Sequence, residues 1–368
     1  MKPNTGVITT RSSYSNGTAP AGDRETFVAL GAPSSPTAST ATKAVQASRV
    51  RKEPIVAAGS VPGYGAVFNA GVIEHNGEYH LFARGIRDGY FRNEGEGARF
   101  LNYVSDVLVF VSDDGVDYRF QQVLARSSDD WIHAVEDPRV QWVHSRGTKH
   151  AVMTYTHLPH PSTGNPWRVG ALRLDFDGDR FALDESSARV LGPEGVHDKD
   201  AVVFNLGNGK VALIHRVHPN IQVAVFDDLE HLWSADAAYW DAHMRDLDQH
   251  TIIASSVHVS GVGAGAPPVE TDEGLLLFYH ERLITGTYTM NVALLDPDTA
   301  KVRAVLPYPI LVPELPWELE GDVNDVVFVG GAVVRTDGNI YLTYGAADRC
   351  VGAAIVGTRA LLDALAAV

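Results

Sequence analysis

Three short motifs place carboxylates among apolar neighbours instead of in solvated charge runs: Glu136–Asp137–Pro138–Arg139, Asp198–Lys199–Asp200, and Asp322 with Asp325 in the run GDVNDVVF. Carboxyls in such settings suit general acid–base chemistry. Cleavage of a glycosidic bond is the leading case: one acid protonates the departing oxygen, and a base, a nucleophile or a phosphate acts on the opposite face of the sugar. In the first motif Pro138 fixes the chain locally and Arg139 offers a bidentate partner, an arrangement that positions one carboxylate while tuning another. A turn braced by a salt bridge would use the same residues.

These motifs need elements that bring them together, and the sequence contains a repeat able to do so. The segments NGEYHLFARG (76–85), RGTKHAVMTYT (146–156), NGKVALIHRV (208–217), DEGLLLFYHE (272–281) and DGNIYLTYGA (337–346) share one design, a glycine turn followed by an apolar β-rich strand. The turn glycines Gly77, Gly147, Gly209, Gly274 and Gly338 lie 70, 62, 65 and 64 residues apart, the regularity of a repeat fold whose units cannot bury their faces alone. Apolar strands running into acidic turns, such as VLVFVSDDG and IQVAVFDDLEHLW, read as outer hairpins. Helical periodicity is nearly absent until TRALLDALAAV at 358–368. The expected fold is therefore all-β: a five-bladed β-propeller with a short C-terminal helix. Residues 1–55, rich in Ser, Thr, Ala and Pro, read as an irregular N-terminal arm, and 56–368 as the catalytic propeller.

Each repeat strand ends in polar groups: Arg84, Thr156–His157, Arg216, His280 and Ala347–Asp348. Equivalent strands around an axis would gather those ends at one funnel, suited to an anion or to sugar hydroxyls. Tyr64, Phe68, Trp167, Tyr279 and Trp317 are candidates for stacking on a pyranose face, although aromatic residues of a propeller core would look the same. Asn69 beside Phe68 could donate to a hydroxyl.

The formal charge of −15 argues against nucleic acid or an anionic membrane as partner. Residues 1–25 lack the apolar core of a signal peptide, no run of 18 apolar residues exists, and the single cysteine, Cys350, forms no internal disulfide. A cytoplasmic protein is expected, and a homo-oligomer is left open. Cys350, in a run of small residues with no evident base, reads as buried filler. His215, His218 and His280 have no compact ligand spacing, so no metal is expected. GVGAGAP runs into Pro-Pro instead of a helix, which argues against nucleotide binding.

FNAGVIEHNGEYHLFARGIRDG, EDPR (136–139), KDAVVF with VALIHRVHPNIQVAVFDDL, GVGAGAPPVETDEGLLLFYH, PILVPELPWELEGDVNDVVFVGGAVV and YLTYGAAD resemble, in order from about residue 61 to 357, glycoside hydrolase family 130. That resemblance implies a five-bladed propeller acting on β-mannosides with inversion, most members being phosphorylases and some hydrolases. It implies Asp137 as the acid and Lys199, Arg216 and His280 as the phosphate cradle. A further family Lys aligns with Gly261, a departure at one corner of that cradle. Asp322 matches a family carboxylate that contacts the sugar or organises the site. Asn69, Arg84, Arg139, Asp200, Tyr279 and Asp322 complete the expected sugar-binding set.

The expected activity is thus phosphorolysis of a β-mannoside to mannose 1-phosphate, with an oligosaccharide substrate, inorganic phosphate as co-substrate and no cofactor. Hydrolysis by water, with Asp200, Glu270 or Asp325 as base, and a non-catalytic sugar-binding propeller are the alternatives. Residues 86–104 and 233–262 read as insertions walling the acceptor side or an oligomer contact.

Overall fold

The computed structural model describes residues 44–96, 99–127, 134–159 and 163–368. Five antiparallel sheets follow one another along the chain. The first comprises Tyr64–His75, Glu78–Arg87, Ser105–Ser112 and Arg119–Ala125; the second Ala134–Ser145, Thr148–Leu158, Arg168–Phe176 and Phe181–Leu191. Asp198–Asn205, Val211–Val217, Ile221–Phe226 and Thr251–Ile253 make the third. In the fourth, Val259–Ala264, Gly274–Leu283, Tyr288–Leu295 and Val302–Val305 are joined by Val269–Thr271. Val327–Val334, Asn339–Ala346 and Cys350–Gly357 form the fifth. This is the five-bladed propeller that the repeat predicts; four of the repeat glycines lie in the turn between the first and second strands of their blade, and Gly274 opens the second strand of the fourth. At Asn76–Gly77 (φ 55° and 83°) and Arg146–Gly147 (48° and 79°) both central residues are left-handed, as a two-residue hairpin turn requires.

The first strand of each blade is innermost. In Tyr64–His75 every residue from Ala66 to Ile73 is buried, the near-continuous apolar run of a strand covered on both faces. Adjacent inner strands approach so closely that a Cβ on Gly71 would lie 2.8 Å from the Pro138 carbonyl, and one on Gly330 2.6 Å from that of Ala70. Pairing register slips at Phe68/Gly71, Glu136/Arg139 and Lys199/Val202, so three inner strands carry a bulge at the same height. The residue at each bulge, Asn69, Asp137 or Asp200, has φ of 47°, 53° or 53°. Asn and Asp tolerate that left-handed backbone better than other side-chain-bearing residues, and a bulge re-aims the side chain it carries.

Composition alone places the end of the arm at residue 55. Instead Ser48–Arg49 supplies the outer strand of the fifth blade, pairing with Ala354 and Ile355, and the compact body runs from Ala44 to Val368. Charge holds this strand, which is why hydrophobic patterning misses it. Arg49 donates from Nε and Nη2 to the buried Glu318 carboxylate (2.7 Å each) and from Nη2 to the Val312 carbonyl. Tyr344 and the amides of Glu314 and Leu315 also donate to Glu318. The rest of the expected arm lies outside the described residues.

The C-terminal helix spans Thr358–Ala366 and buries Leu361, Leu362 and Leu365. Further helices occur where outer hairpin turns were expected. After Ile221–Phe226 the acidic pair does not turn into another strand: Asp228 caps Leu229–Trp233, accepting from the His231 amide, and Asp236 caps Ala237–Arg245. Trp240 joins Leu229 and Leu232 in the core between the second and third blades, so the 233–262 segment braces the wheel there. Among the described residues no helix is long and apolar enough to cross a membrane.

Removing one member of a buried ion pair strands its partner, at a cost of about 3–5 kcal/mol. Arg49→Ala is therefore expected to lower Tm by at least about 5 °C in a thermal scan. Burial opposes the charge of Glu318, but Arg49 and the backbone amides hold its carboxyl below its ordinary value of 4.5. A depressed carboxyl stabilises the fold above that value and ceases to as pH falls through the folded one. The gap between parent and variant should accordingly narrow in acid; a gap independent of pH would contradict the latch.

Candidate active site

At the bulged end of the inner strands lies a cavity of about 600 Å³. Asn69 and Arg84 of the first blade, Glu136 and Asp137 of the second, Lys199 of the third, Arg282 and Tyr288 of the fourth, and Asp325, Phe328 and Asp348 at the fifth all line it. Asp137 is its centrepiece. The Asp137 Oδ1 accepts from Asn69 Nδ2 (2.8 Å) and Arg84 Nη1 (3.3 Å). Arg84 lies over Phe68 at 5.0 Å and against Tyr103 at 5.4 Å, and its other terminal nitrogen pairs with Glu136. Phe68 and Tyr103 thus set the height of the guanidinium, and the guanidinium sets the carboxylates.

Three carboxyls share that single guanidinium. Burial, above all, pushes the Asp348 carboxyl up to about 7, with Arg84 opposing and the charges of Asp137, Glu136 and Asp322 adding. Burial also raises Glu136, against Arg84 and with Asp137 reinforcing. Crowded carboxyls cannot all ionise near neutrality, so the cluster retains a proton. Asp348 is the residue that motif reading left out of the sugar-binding set. Its signal was present at the end of the fifth repeat strand, and its φ of 55° turns it inward much as the bulges turn Asn69 and Asp137.

A second charged centre lies behind the cavity wall. Asp200, fully enclosed, takes Arg139 Nη2 at 3.1 Å and Arg216 Nε at 3.2 Å, with His280 Nε2 at 3.6 Å. Burial disfavours its charge, but Arg216, Lys199, His280 and Arg139 together hold the carboxyl well below the usual range. Burial lowers His280 to about 3, Asp200 opposing and Arg216, Arg139 and Lys199 adding, so its ring is neutral at physiological pH. Arg139 also donates to the carbonyls of Asp137, Ala264 and Gly265, tying the second blade to the fourth. Behind this centre His215 faces Asp198 at 2.8 Å and His243 at 3.0 Å, locking the strand that carries Lys199 and Asp200.

Several polar side-chain atoms around these two centres are buried without a hydrogen bond: Asn69 Oδ1, Arg84 Nε and both His280 ring nitrogens, whereas Arg216 Nε and Asp200 Oδ2 face each other as an ion pair. Buried groups of this kind are normally satisfied, and their concentration here is what a site awaiting a polar ligand presents.

The sequence-derived residues therefore sort by position. Asn69, Arg84, Asp137 and Lys199 line the cavity. Arg139, Asp200, Arg216 and His280 assemble directly behind it as one ion-paired cluster. Asp322 sits at an adjoining cleft under the hairpin Phe91–Arg92/Phe100–Leu101, where Tyr90 donates to its carboxylate and Arg92 to its carbonyl. Tyr279 does not line this cavity. Strand alternation sends its side chain opposite to His280, into the core shared by the third and fourth blades. Tyr64 donates to Asp106, and Trp317 stacks on Tyr344 within the fifth blade. Glu270 lines a different cavity at the far ends of the inner strands. Burial pushes the Cys350 thiol up to about 12, which leaves it no nucleophilic role.

A family model described as beta-1,4-mannooligosaccharide phosphorylase matches residues 41–367. The chain belongs to glycoside hydrolase family 130. Among curated relatives, this family-130 chain is 32% identical over 299 residues to a 1,2-beta-oligomannan phosphorylase of Thermoanaerobacter sp. (strain X514), covering 79% of this chain and 90% of the relative. A beta-1,4-mannooligosaccharide phosphorylase of Ruminococcus albus is 26% identical, over 86% of this chain and 89% of the relative. Among solved structures, the beta-1,2-mannobiose phosphorylase of Listeria innocua superposes with a TM-score of 0.69 at 20% identity, over 88% of this chain and 99% of that one, which shows the shared fold.

The raised Asp348 carboxyl carries a testable sign. Between about pH 4 and 7 the folded family-130 enzyme keeps a proton that the unfolded chain releases, so this group makes stability fall as pH rises through that window. Asp348→Asn removes the titration. Its Tm relative to the parent should increase from pH 5 to pH 8, and a difference that stays flat would exclude the shift.

Proposed function

We propose that this enzyme is an inverting β-mannoside phosphorylase with Asp137 as proton donor. One observation carries the reading: a carboxyl fixed by Asn69 and Arg84 opens onto the same cavity as Lys199, which has no carboxylate at ion-pair distance among the described residues. An acid and an uncommitted cation in one cavity are what phosphate attack on a glycoside requires, because a dianion without fixed positive charge is prohibitively costly to desolvate. The names of the relatives, phosphorylases of β-1,2- and β-1,4-linked mannosides, point the same way.

In this mechanism a phosphate oxygen attacks C1 of the mannosyl unit from the face opposite the departing sugar. The C1–O bond breaks as the new C1–O–P bond forms, and the configuration at C1 inverts. Asp137 gives its proton to the departing oxygen, and the proton brought in by hydrogen phosphate restores the acid. Arg84 and Asn69 keep the carboxyl aimed throughout. Lys199 meets the phosphate, while the ion-paired Asp200 cluster supports the wall behind it.

Hydrolysis is the second reading, and Asp325 is what favours it. Of the three carboxylates considered as a water-activating base, Glu270 lies in the far cavity and Asp200 is enclosed by cations, whereas Asp325 lines the site. The two readings separate on phosphate. β-1,2- and β-1,4-mannobiose should be cleaved only when phosphate is supplied, yielding mannose 1-phosphate by chromatography; free mannose at full rate in phosphate-free buffer would establish hydrolysis instead. Asp137→Asn should lower turnover at least about 10²-fold without loss of Tm. In the phosphorylase Asp325→Asn should leave the phosphate requirement intact.

A further inference from the structure

Of the three residues expected to cradle phosphate, only Lys199 reaches the cavity. Arg216 is committed to Asp200, and His280 is neutral and enclosed beside the same carboxylate. Neither side chain is on the cavity lining; Lys199 is. A phosphate dianion therefore needs a second cation from elsewhere.

Across the fourth blade, Gly263 pairs with His280 and Gly261 pairs with Arg282. By strand alternation His280 and Arg282 share one face. Both partners on the inner strand are glycines, so no side chain of that strand stands opposite either residue, while Met290 and Tyr288 oppose them on the outer side. At Gly263 the space is taken, since a Cβ there would collide with His280 and Asp200. At Gly261 the nearest atoms to a Cβ would be the His218 ring, at 3.1 Å, and the Pro219 carbonyl, at 3.8 Å, and not Arg282. Arg282 extends over the Tyr288 ring, its guanidinium carbon 5.9 Å from the centroid, and both residues line the cavity with Lys199. Among the described residues no carboxylate lies within ion-pair distance of Arg282, in a chain whose net charge is −15.

We propose that Arg282 is the second phosphate-binding cation of this enzyme, closing on the anion with Lys199 from the neighbouring blade. The assignment rests on the phosphorolysis reading above. The position opposite Gly261 supplies the charge that position 261 itself lacks. Tyr288 holds the guanidinium by its ring, which limits the side-chain freedom lost on binding.

The test is steady-state kinetics of Arg282→Ala and Arg282→Lys with mannobiose saturating and phosphate varied, with Arg303→Ala on the outer rim as a charge-loss control. Loss of a charge-assisted hydrogen bond predicts a rise in the phosphate KM of about 10- to 100-fold in the alanine variant, partial recovery in the lysine variant, and a mannobiose KM within about threefold of the parent. A phosphate KM within twofold of the parent, or an equal rise in both KM values, overturns the assignment. Should Arg282→Ala fold poorly by circular dichroism, the lysine variant is decisive: a point charge in place of the fork must still raise the phosphate KM. If the parent cleaves mannobiose without phosphate, the phosphorolysis reading falls by itself. Titration calorimetry with inorganic phosphate then judges Arg282: weaker binding in the variant sustains the anion contact, and unchanged binding removes it.

Discussion

Left-handed backbone at Asn69, Asp137 and Asp200 is the constraint on which the site depends. Conformations of this kind cost of order 1–3 kcal/mol for a residue with a side chain and persist only where the surroundings over-determine them. Here the surroundings are neighbouring inner strands packed so tightly that Gly71 and Gly330 have no space for a methyl group. The bulges are locked in place by the wheel, and in return they turn a carboxamide and two carboxylates toward the axis. A regular ladder would have pointed the same residues into the walls between blades.

Charge is then distributed in two tiers. The buried tier sets the Asp200 carboxylate between the guanidiniums of Arg139 and Arg216 and stitches blades two, three and four together through side chains and carbonyls. The open tier gathers three carboxyls on one side around Arg84 and leaves Lys199 and Arg282 without carboxylate partners on the other. Such a split suits the proposed phosphorolysis, in which a proton leaves one side and an anion meets the other.

The wheel was legible because its signal is periodic. Five glycine turns with apolar strands behind them survive any detail of the loops; of the strand-end residues, Arg84 and Asp348 line the cavity while Arg216 and His280 stand together behind it. The motif Glu136–Asp137–Pro138–Arg139 was legible as a candidate site, and it was the family resemblance that singled out Asp137 within it. What escaped depends on three-dimensional neighbours. Tyr279 and His280 are adjacent in sequence and face opposite ways, which alternation could have separated had the site face been fixed first. Arg282 is an ordinary exposed charge until its cross-strand partner is seen to be a glycine. Ser48–Arg49 has no hydrophobic pattern to betray it, because an ion pair with Glu318, far along the chain, defines it.

That terminal strand also fixes where the two ends of the body meet. Ala47, near the start of the body, and Leu361, Leu362 and Leu365, in the last helix, are buried in one core, so the two ends of the body pack together beside the fifth blade. A circular permutant that joins residue 366 to residue 44 through a short linker, and opens instead at the exposed turn around Gly209, keeps every sheet pairing described. It would move the closing seam from a blade sealed by charge to one in which two apolar strands, Asp198–Asn205 and Val211–Val217, pair without a connecting turn. Its melting curve, set beside that of the natural order, measures how much of the wheel's integrity depends on where the ring is joined.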